Sequence, residues 1–241
     1  MLTTTRKGIA LTWTNNGLLK TLSNDDRALL RPLLEKVTLV QEQSLFESYE
    51  PISHVYFFES GLSSEVVVAL KSIEVGCIGH EGCSGVPVLM GVDASPHKAF
   101  MQVGGEALRI PSPDLRALMN DSRTLREHLQ KYAHVFMIQI AATALADGRY
   151  DVEQRLARWL LMCQDRLGDE LPLTHDFLAI MLGVRRPSVT DALHKLEGNL
   201  AIKAERGMIT VKSRDILLET AGDSYGIPEA EHRRLITQQQ G

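Results

Sequence analysis

The chain has 241 residues, a formal net charge of −4 with neutral histidines, 44% hydrophobic residues and 23% charged residues, a composition typical of a globular protein with one large domain or two medium-sized domains. No apolar run reaches the roughly 18 residues of a membrane-spanning helix, and Met1–Thr14 lacks the apolar core of a secretory signal. The three cysteines are too few for a disulfide framework, so we expect free thiols in a reducing cytoplasm.

The amino-terminal half is predicted to be a short helix followed by a β-rich domain. The helix spans residues 25–36 and carries four leucines along one side, Leu29, Leu30, Leu33 and Leu34. From residue 37 to 110, short β-favouring runs alternate with clusters of Gly, Pro, Ser and Asp, which is typical of an antiparallel barrel or sandwich. The runs are Val37–Val40, His54–Phe58, Glu65–Leu70 and Ala99–Val103.

A long helix is predicted after Ser112, where Pro113 suits a first helical turn. A 4-3-4-3-4 spacing in this segment predicts the seam of two helices that pack side by side. The seam residues are Leu125, Leu129, Tyr132, Phe136, Gln139 and Thr143. Because residues 135–146 are apolar nearly all round, we expect two buried faces, one against the barrel and one against a second copy of the chain. A core helix within a single chain is the alternative.

The long helix is predicted to break near Gly148, which sets a domain boundary. Asp151 is a suitable N-cap for a further helix that runs to about Leu167, and Gly168 supplies its stop. We therefore expect three parts: a β-rich domain at residues 1–120, the long helix at residues 121–150, and a third domain at residues 151–241.

The third domain contains the pattern of a winged helix-turn-helix at residues 173–211. Thr174 can cap a first helix, in which the small Ala179 lets a second helix cross closely. Gly183 permits the left-handed turn between the helices. The second helix is predicted to begin near Arg186–Pro187, since proline suits a first turn. Two strands, Leu200–Lys203 and Met208–Val211, joined by Ala204–Gly207, form the predicted wing.

Helix-turn-helix proteins touch base edges with the start of the second helix, which selects the candidate DNA-binding residues here. Between residues 185 and 214 the chain has seven basic and three acidic side chains, so a basic face can exist on an acidic protein. For the groove we expect Arg186, Ser188, Thr190 and Asp191, with Arg186 bidentate to guanine. For the phosphates we expect Arg185, His194, Lys195 and, at the wing tip, Arg206.

The order of these parts resembles the Crp–Fnr family of bacterial transcription regulators, and the segment Leu178–Thr190 is similar to the family's DNA-reading segment. The resemblance implies an α+β fold: an antiparallel β-roll like the cyclic-nucleotide-binding jelly roll as sensor, a dimerisation helix, and a carboxyl-terminal winged helix-turn-helix. It implies a homodimer, formed through residues 125–145, that binds a two-fold site in double-stranded DNA. Arg186 falls at the family's guanine-reading arginine, whereas Pro187 replaces a glutamate of many members.

The sensor half departs from the cyclic-AMP-binding members. They hold ribose with a Gly-Glu pair and phosphate with an arginine, but the matching segments Val75–Gly82 and Ser95–Ala99 contain no arginine. Lys98 is a point charge and no substitute for the arginine fork. We therefore expect no cAMP binding, and the effector stays open, as does ligand-independent activity. The amino-terminal cysteine cluster of the iron–sulfur members is also missing.

Other functions are weighed against this one. Cys77, His80 and Cys83 have the spacing C-x2-H-x2-C, so a metal- or thiol-redox-responsive regulator is an alternative, although a closed zinc site needs a fourth ligand. A ligand-binding module without DNA is a second alternative. No hydrolase, phosphate-loop or metalloprotease motif occurs, so we expect no enzyme. RNA polymerase is a further candidate partner, and no membrane association is expected.

Overall fold

The computed structural model describes residues 13–69 and 72–238. The expectation about a leader at Met1–Thr14 lies almost wholly outside these residues, as does Leu70, the predicted end of one strand. No helix in the described part of the chain is long and apolar enough to cross a membrane.

The amino-terminal half is a β-roll of two antiparallel four-stranded sheets. One sheet has the order β1-β8-β3-β6 and the other the order β2-β7-β4-β5. The strands are β1 (Glu35–Leu39), β2 (Ser44–Phe46), β3 (His54–Phe58), β4 (Leu62–Val67), β5 (Ile73–Ile78), β6 (Cys83–Ser84), β7 (His97–Val103) and β8 (Gly105–Pro111). The predicted antiparallel β architecture is confirmed, with strand bounds displaced by a few residues. A short helix, α3 (Val86–Leu89), follows β6.

The helix predicted at residues 25–36 is shorter than expected. Helix α1 (Gly17–Lys20) precedes it, and α2 (Asn24–Leu30) then gives way to a 3-10 turn at Arg31–Leu33. Pro32 explains the early end, because proline lacks the N–H of a helical hydrogen bond and its ring excludes the preceding turn. Of the four leucines, Leu30 is buried, whereas Leu29 and Leu33 are exposed.

The long helix exists, but its predicted seam faces this chain's own roll. After α4 (Ser112–Asp121), helix α5 (Arg123–Arg149) runs for 27 residues. Leu125, Leu129, Tyr132 and Phe136 are all buried in the core of the roll, and the Gln139 Oε1 accepts the Cys77 N–H at 2.8 Å. The assignment of this seam to a second helix was therefore wrong, since periodicity reveals a buried face without revealing what covers it.

The carboxyl-terminal part is a winged helix-turn-helix, as predicted. Asp151 caps α6 with a reciprocal capping box to Gln154, and Gly168 ends the helix. The elements are α6 (Val152–Leu167), β9 (Glu170–Leu171), α7 (His175–Met181), α8 (Arg186–Gly198), β10 (Ile202–Glu205), β11 (Met208–Val211), α9 (Arg214–Ala221) and α10 (Ile227–His232). The wing's first strand begins two residues later than predicted, because Leu200 adopts a left-handed φ of 61° that a strand excludes.

A second apolar core joins this part to the outer face of the β2-β7-β4-β5 sheet. Leu62 and Cys77 of the roll belong to the same buried cluster as helices α6, α7 and α8. At this contact the Trp159 indole donates a hydrogen bond to the Glu74 carboxylate at 2.9 Å. The chain then returns to the roll, where Ile236, in the π-helical turn Arg233–Thr237, is buried in the first core.

Candidate nucleic-acid interface

The two helices of the motif are joined by a tight turn that matches its sequence. The Thr174 hydroxyl accepts the Phe177 N–H at 3.2 Å and caps α7. Gly183 has φ +61°, the left-handed conformation that glycine adopts at little cost. The Val184 N–H then bonds to the Ala179 carbonyl at 3.0 Å and closes the turn. The crossing of α7 and α8 is therefore set by local hydrogen bonds.

Helix α8 buries one side and exposes the other. The buried residues are Val189, Ala192, Leu193 and Leu196. At about 100° per residue, Pro187, Asp191 and His194 lie on the opposite face, and all three are exposed. An unpartnered polar face of this kind, on the second helix of such a motif, has the shape that enters a major groove.

Arg186 is the first residue of α8 and lies against the start of α7. Its Nε is 3.3 Å from the Asp176 Oδ1, and both side chains are mostly exposed, at 63% and 69%. Asp176 is in the first turn of α7, where a carboxylate is favoured by the helix N-terminus. This contact was not predicted from the sequence, because ten residues and a turn separate Asp176 from Arg186.

The other groove candidates differ in their surroundings. The Thr190 hydroxyl donates to the Arg186 carbonyl at 3.2 Å and lies 3.2 Å from the His175 Nδ1. Ser188 is half-buried and Asp191 is exposed. Thr190 and Arg186 thus lie on the side of α8 that faces the start of α7.

The candidate phosphate contacts divide into two groups. Arg185 and His194 are exposed and project from α8 or its N-cap position. Lys195 instead forms an ion pair with Glu153 of α6, with Nζ and Oε2 3.2 Å apart. The structure therefore turns Lys195 towards the side of α8 that packs on α6.

The wing is tied to α8 by a side-chain contact. The Glu197 Oε1 accepts the Ala204 N–H at 2.7 Å, and Gly207, with φ +76°, completes the turn beside Arg206. The exposed Arg206 lies at the tip. A cleft of about 500 Å³ separates the start of α7, α8 and the wing, and both Arg186 and Arg206 line it.

Tyr132 of α5 packs against the end of Val75–Gly82, the segment that the resemblance matches to a cyclic-nucleotide site. The Tyr132 hydroxyl accepts the Cys83 N–H at 3.0 Å and lies 3.2 Å from the Cys83 carbonyl. A Cβ added at Gly82 would overlap the Tyr132 ring. Lys98 lies over the Phe100 ring, at 5.4 Å from its centroid, and Phe100 packs on the second core. Lys98 is thus on the outer face of the sheet.

The three residues of the C-x2-H-x2-C pattern do not converge. Cys77 packs in the second core and Cys83 in the core of the roll, on different faces of the structure. Burial raises the pKa of the Cys77 thiol to about 12, and burial also raises the pKa of the Cys83 thiol well above its usual range. Within residues 13–69 and 72–238, no group of three or more His, Cys, Asp or Glu side chains is arranged to hold a metal ion. The geometry therefore does not support the metal hypothesis.

Comparison with known proteins agrees with this geometry. Residues 154–220 match the family model described as a Crp-like helix-turn-helix domain. No curated protein sequence matches the chain significantly. Among solved structures, a transcriptional regulator of the Crp/Fnr family from Eubacterium rectale has a TM-score of 0.67 and 16% sequence identity, and the match covers 86% of this chain and 98% of that chain.

Two further structures are similar over most of the chain. FixK2 from Bradyrhizobium japonicum has a TM-score of 0.66 at 14% identity, with 78% of this chain and 98% of that chain covered. The c-di-GMP-responsive regulator CLP from Xanthomonas campestris has a TM-score of 0.64 at 14% identity, with 79% and 100% covered. Residues 154–220 are therefore similar to a Crp-like helix-turn-helix domain, and the described chain has the fold of these solved regulators.

Proposed function

We propose that the protein acts as a homodimer that binds a two-fold symmetric DNA site, with α8 of each protomer in a major groove. The observation that carries this proposal is the exposed face of α8, which projects beside a basic wing and has no other element of the described chain against it. Residues 151–241 would bind DNA, residues 121–150 would dimerise, and residues 1–120 would sense the signal. Such a regulator works where the chromosome is, in the cytoplasm, and RNA polymerase is a candidate partner.

In this proposal the side chains of α8 have two tasks. Arg186 reads a guanine, and Ser188, Thr190 and Asp191 contribute to the same groove, because base edges carry the sequence information. Arg185, His194 and Arg206 bind phosphates and fix the orientation on the duplex. Lys195 contributes less than the others, since Glu153 already neutralises it.

The dimer is supported by a second stripe on α5, distinct from the one that faces the roll. His134, Met137, Ala141 and Ala144 follow a 3-4-3 spacing and are exposed, and Leu145 lies beside them. Met137 and Leu145 are 54% and 48% exposed, so the stripe presents apolar surface beside its two alanines. Two alanines in such a stripe let a second helix approach closely. We infer that two copies of α5 pack through this stripe.

The sensor is proposed not to bind cAMP. Tyr132 packs against Gly82 and Cys83, and Lys98 faces away from the interior of the roll. A relative such as CLP is described as responding to c-di-GMP, so this fold can serve signals other than cAMP.

Selection from a pool of randomised duplexes, with the purified ligand-free protein at moderate salt, tests the DNA proposal. We expect recovery of a two-fold site with half-sites about one helical turn, roughly 10 base pairs, apart. The Arg186→Ala variant is expected to recover a site that has lost one guanine per half-site. Recovery of unselected sequences by the wild type, with and without cell extract, would overturn the proposal.

Sedimentation of a stripe variant tests the dimer. Met137→Glu combined with Ala141→Glu should place like charges at the centre of the interface and yield monomers that fold normally. Val92→Glu, at an exposed apolar position of the roll, is the matched control and should stay dimeric. A wild-type protein that sediments as a monomer at working concentration would contradict the dimer, whereas a stripe variant that stays dimeric would contradict only this interface.

A further inference from the structure

We propose that Asp176 is a positioning residue for DNA readout, which holds the Arg186 guanidinium in the orientation that selects guanine. The proposal rests on the proposed function of α8 and goes beyond it by naming a specificity determinant outside that helix. Its starting point is the ion pair between the Arg186 Nε and the Asp176 Oδ1, 3.3 Å apart.

The contact is made at one end of the guanidinium group. Arginine presents five N–H donors in a planar fork, so a carboxylate at Nε leaves both terminal nitrogens for another acceptor. Guanine offers two acceptors side by side, N7 and O6, in the major groove. With Asp176 at Nε, the two Nη atoms form a pair of donors that matches this guanine edge.

The carboxylate that contacts Arg186 comes from α7, and the residue after Arg186 in α8 cannot supply one. Position 187 is proline, whose side chain has no polar atom. No acidic side chain of α8 is within ion-pair distance of Arg186, whereas Asp176 is. The Thr174 cap fixes the first turn of α7, on which Asp176 lies. Arg186 is thus held by a separate helix, and its orientation depends on the crossing of α7 and α8.

The ion pair has little to contribute to folding. Both side chains are mostly exposed, and exposed pairs add little to stability. A carboxylate on a DNA-binding face also repels phosphates and weakens binding to every sequence. On the DNA surface, where water is displaced, the same pair is stronger because the local dielectric constant falls. Asp176 therefore lowers the affinity for DNA of any sequence, but it orients Arg186 and so raises the preference for guanine over other bases.

This reasoning gives two effects of opposite sign for Asp176→Asn. Removal of a negative charge should raise affinity for random duplex by a few fold at low salt. Loss of the orienting carboxylate should also weaken the preference for guanine. We expect the ratio of affinities for the selected site and for the guanine-replaced site to fall by about tenfold, within the range of one bidentate base contact. A substitution that merely damaged the fold would lower both quantities.

The experiment measures binding of wild type, Asp176→Asn, Arg186→Ala and the double variant to three duplexes: the selected site, the guanine-replaced site and a random sequence. In the Arg186→Ala background, Asp176→Asn should no longer change the preference for guanine, because the residue it positions is absent. Glu205→Gln on the wing is the matched control. It removes an exposed carboxylate from the same face and should raise affinity for all three duplexes alike.

The outcomes separate the two proposals. If Arg186→Ala leaves the preference unchanged at every base pair, readout by Arg186 fails, and the role of Asp176 fails with it. If Arg186→Ala abolishes the guanine preference but Asp176→Asn retains it in full, the proposed function stands and the positioning role is overturned. Thermal unfolding of each variant, expected within a degree or two of wild type for Asp176→Asn, excludes a folding defect as the cause.

Discussion

Two polar contacts of this molecule differ in their exposure to water. The ion pair of Arg186 and Asp176 is largely exposed, whereas Glu74 and Trp159, which meet between the roll and α6, are each only 4% exposed. Water screens the first pair, so its energy is small until DNA displaces the water. The second pair is removed from water, so a substitution that leaves one partner buried and unpaired lowers the free energy of unfolding directly. The comparison implies that substitutions at the DNA face alter specificity and those at the buried contact alter stability.

The largest expected effect is at the buried contact. Trp159→Ala removes a buried indole that lies against Phe177, with ring centroids 6.3 Å apart, and deprives Glu74 of the Trp159 hydrogen bond. We expect a loss of about 3–5 kcal/mol in the free energy of unfolding, measured by urea denaturation.

Two controls sharpen this comparison. Ile180→Ala, at an exposed position of α7, and Arg186→Ala should each change the free energy of unfolding by no more than about 0.5 kcal/mol. The division between the two regions would be wrong if Arg186→Ala destabilised the protein as much as Trp159→Ala.

The next effect is a dependence of stability on pH. Burial raises the pKa of Glu74 to about 7, although hydrogen bonds from Ser64 and Trp159 and the charges of Arg158 and Arg166 oppose the shift. Since the folded pKa lies above the unfolded one, the unfolded chain loses this proton first as pH rises. The contribution of Glu74 to the free energy of unfolding should therefore be fully present below about pH 4.5. It should fall, by a few kcal/mol at most, as pH rises to about 7.

Glu74→Gln isolates this contribution. The glutamine oxygen can still accept the Trp159 N–H, but the side chain no longer ionises. We expect the variant to be more stable than wild type at pH 8 and to show a flatter profile between pH 4.5 and 7. Glu219→Gln, at an exposed position of α9, should leave the profile as in wild type. Identical profiles for Glu74→Gln and wild type would show that Glu74 stays ionised when buried.

A smaller effect is expected where Tyr132 packs against Gly82 of the roll. A Cβ at Gly82 would overlap the Tyr132 side chain, so Gly82→Ala should cost about 1–3 kcal/mol through overpacking. Gly148→Ala is the matched control, because nothing lies within 4 Å of a Cβ there and the helical position favours alanine. An equally stable Gly82→Ala variant would indicate that Tyr132 can leave the segment, which would reopen the question of a ligand there.

The amino-acid sequence predicted the parts of this fold that depend on local spacing. Thr174, Gly183 and Val189 specify a cap, a left-handed turn and a buried position within fifteen residues of each other, so the helix-turn-helix followed from them. The partner of a buried face does not follow in this way. The stripe from Leu125 to Gln139 was assigned to a second helix, yet it covers the chain's own roll.

Contacts between separate elements were the least predictable. Arg186 and Asp176 meet because α7 and α8 cross, and no periodic pattern contains both. Lys195 was expected on a phosphate, but its neighbour Glu153 belongs to α6, more than forty residues earlier in the chain. Cys77 and Cys83 have metal-like spacing, yet they face different cores. In each case the tertiary arrangement, rather than the residue type, decides what the side chain contacts.

The smallest expected effect compares two cations at the DNA face. Arg206 is exposed at the tip of the wing, whereas Lys195 is paired with Glu153 at 3.2 Å. Arg206→Ala should reduce the slope of log affinity against log salt concentration by about 1, because one phosphate contact is lost. Lys195→Ala should reduce the slope by clearly less, because binding DNA would first require Lys195 to leave its partner. Glu153→Gln removes the partner of Lys195 and should steepen the slope only in the protein that retains the lysine. Equal slopes for all these variants would mean that neither cation contacts the phosphates.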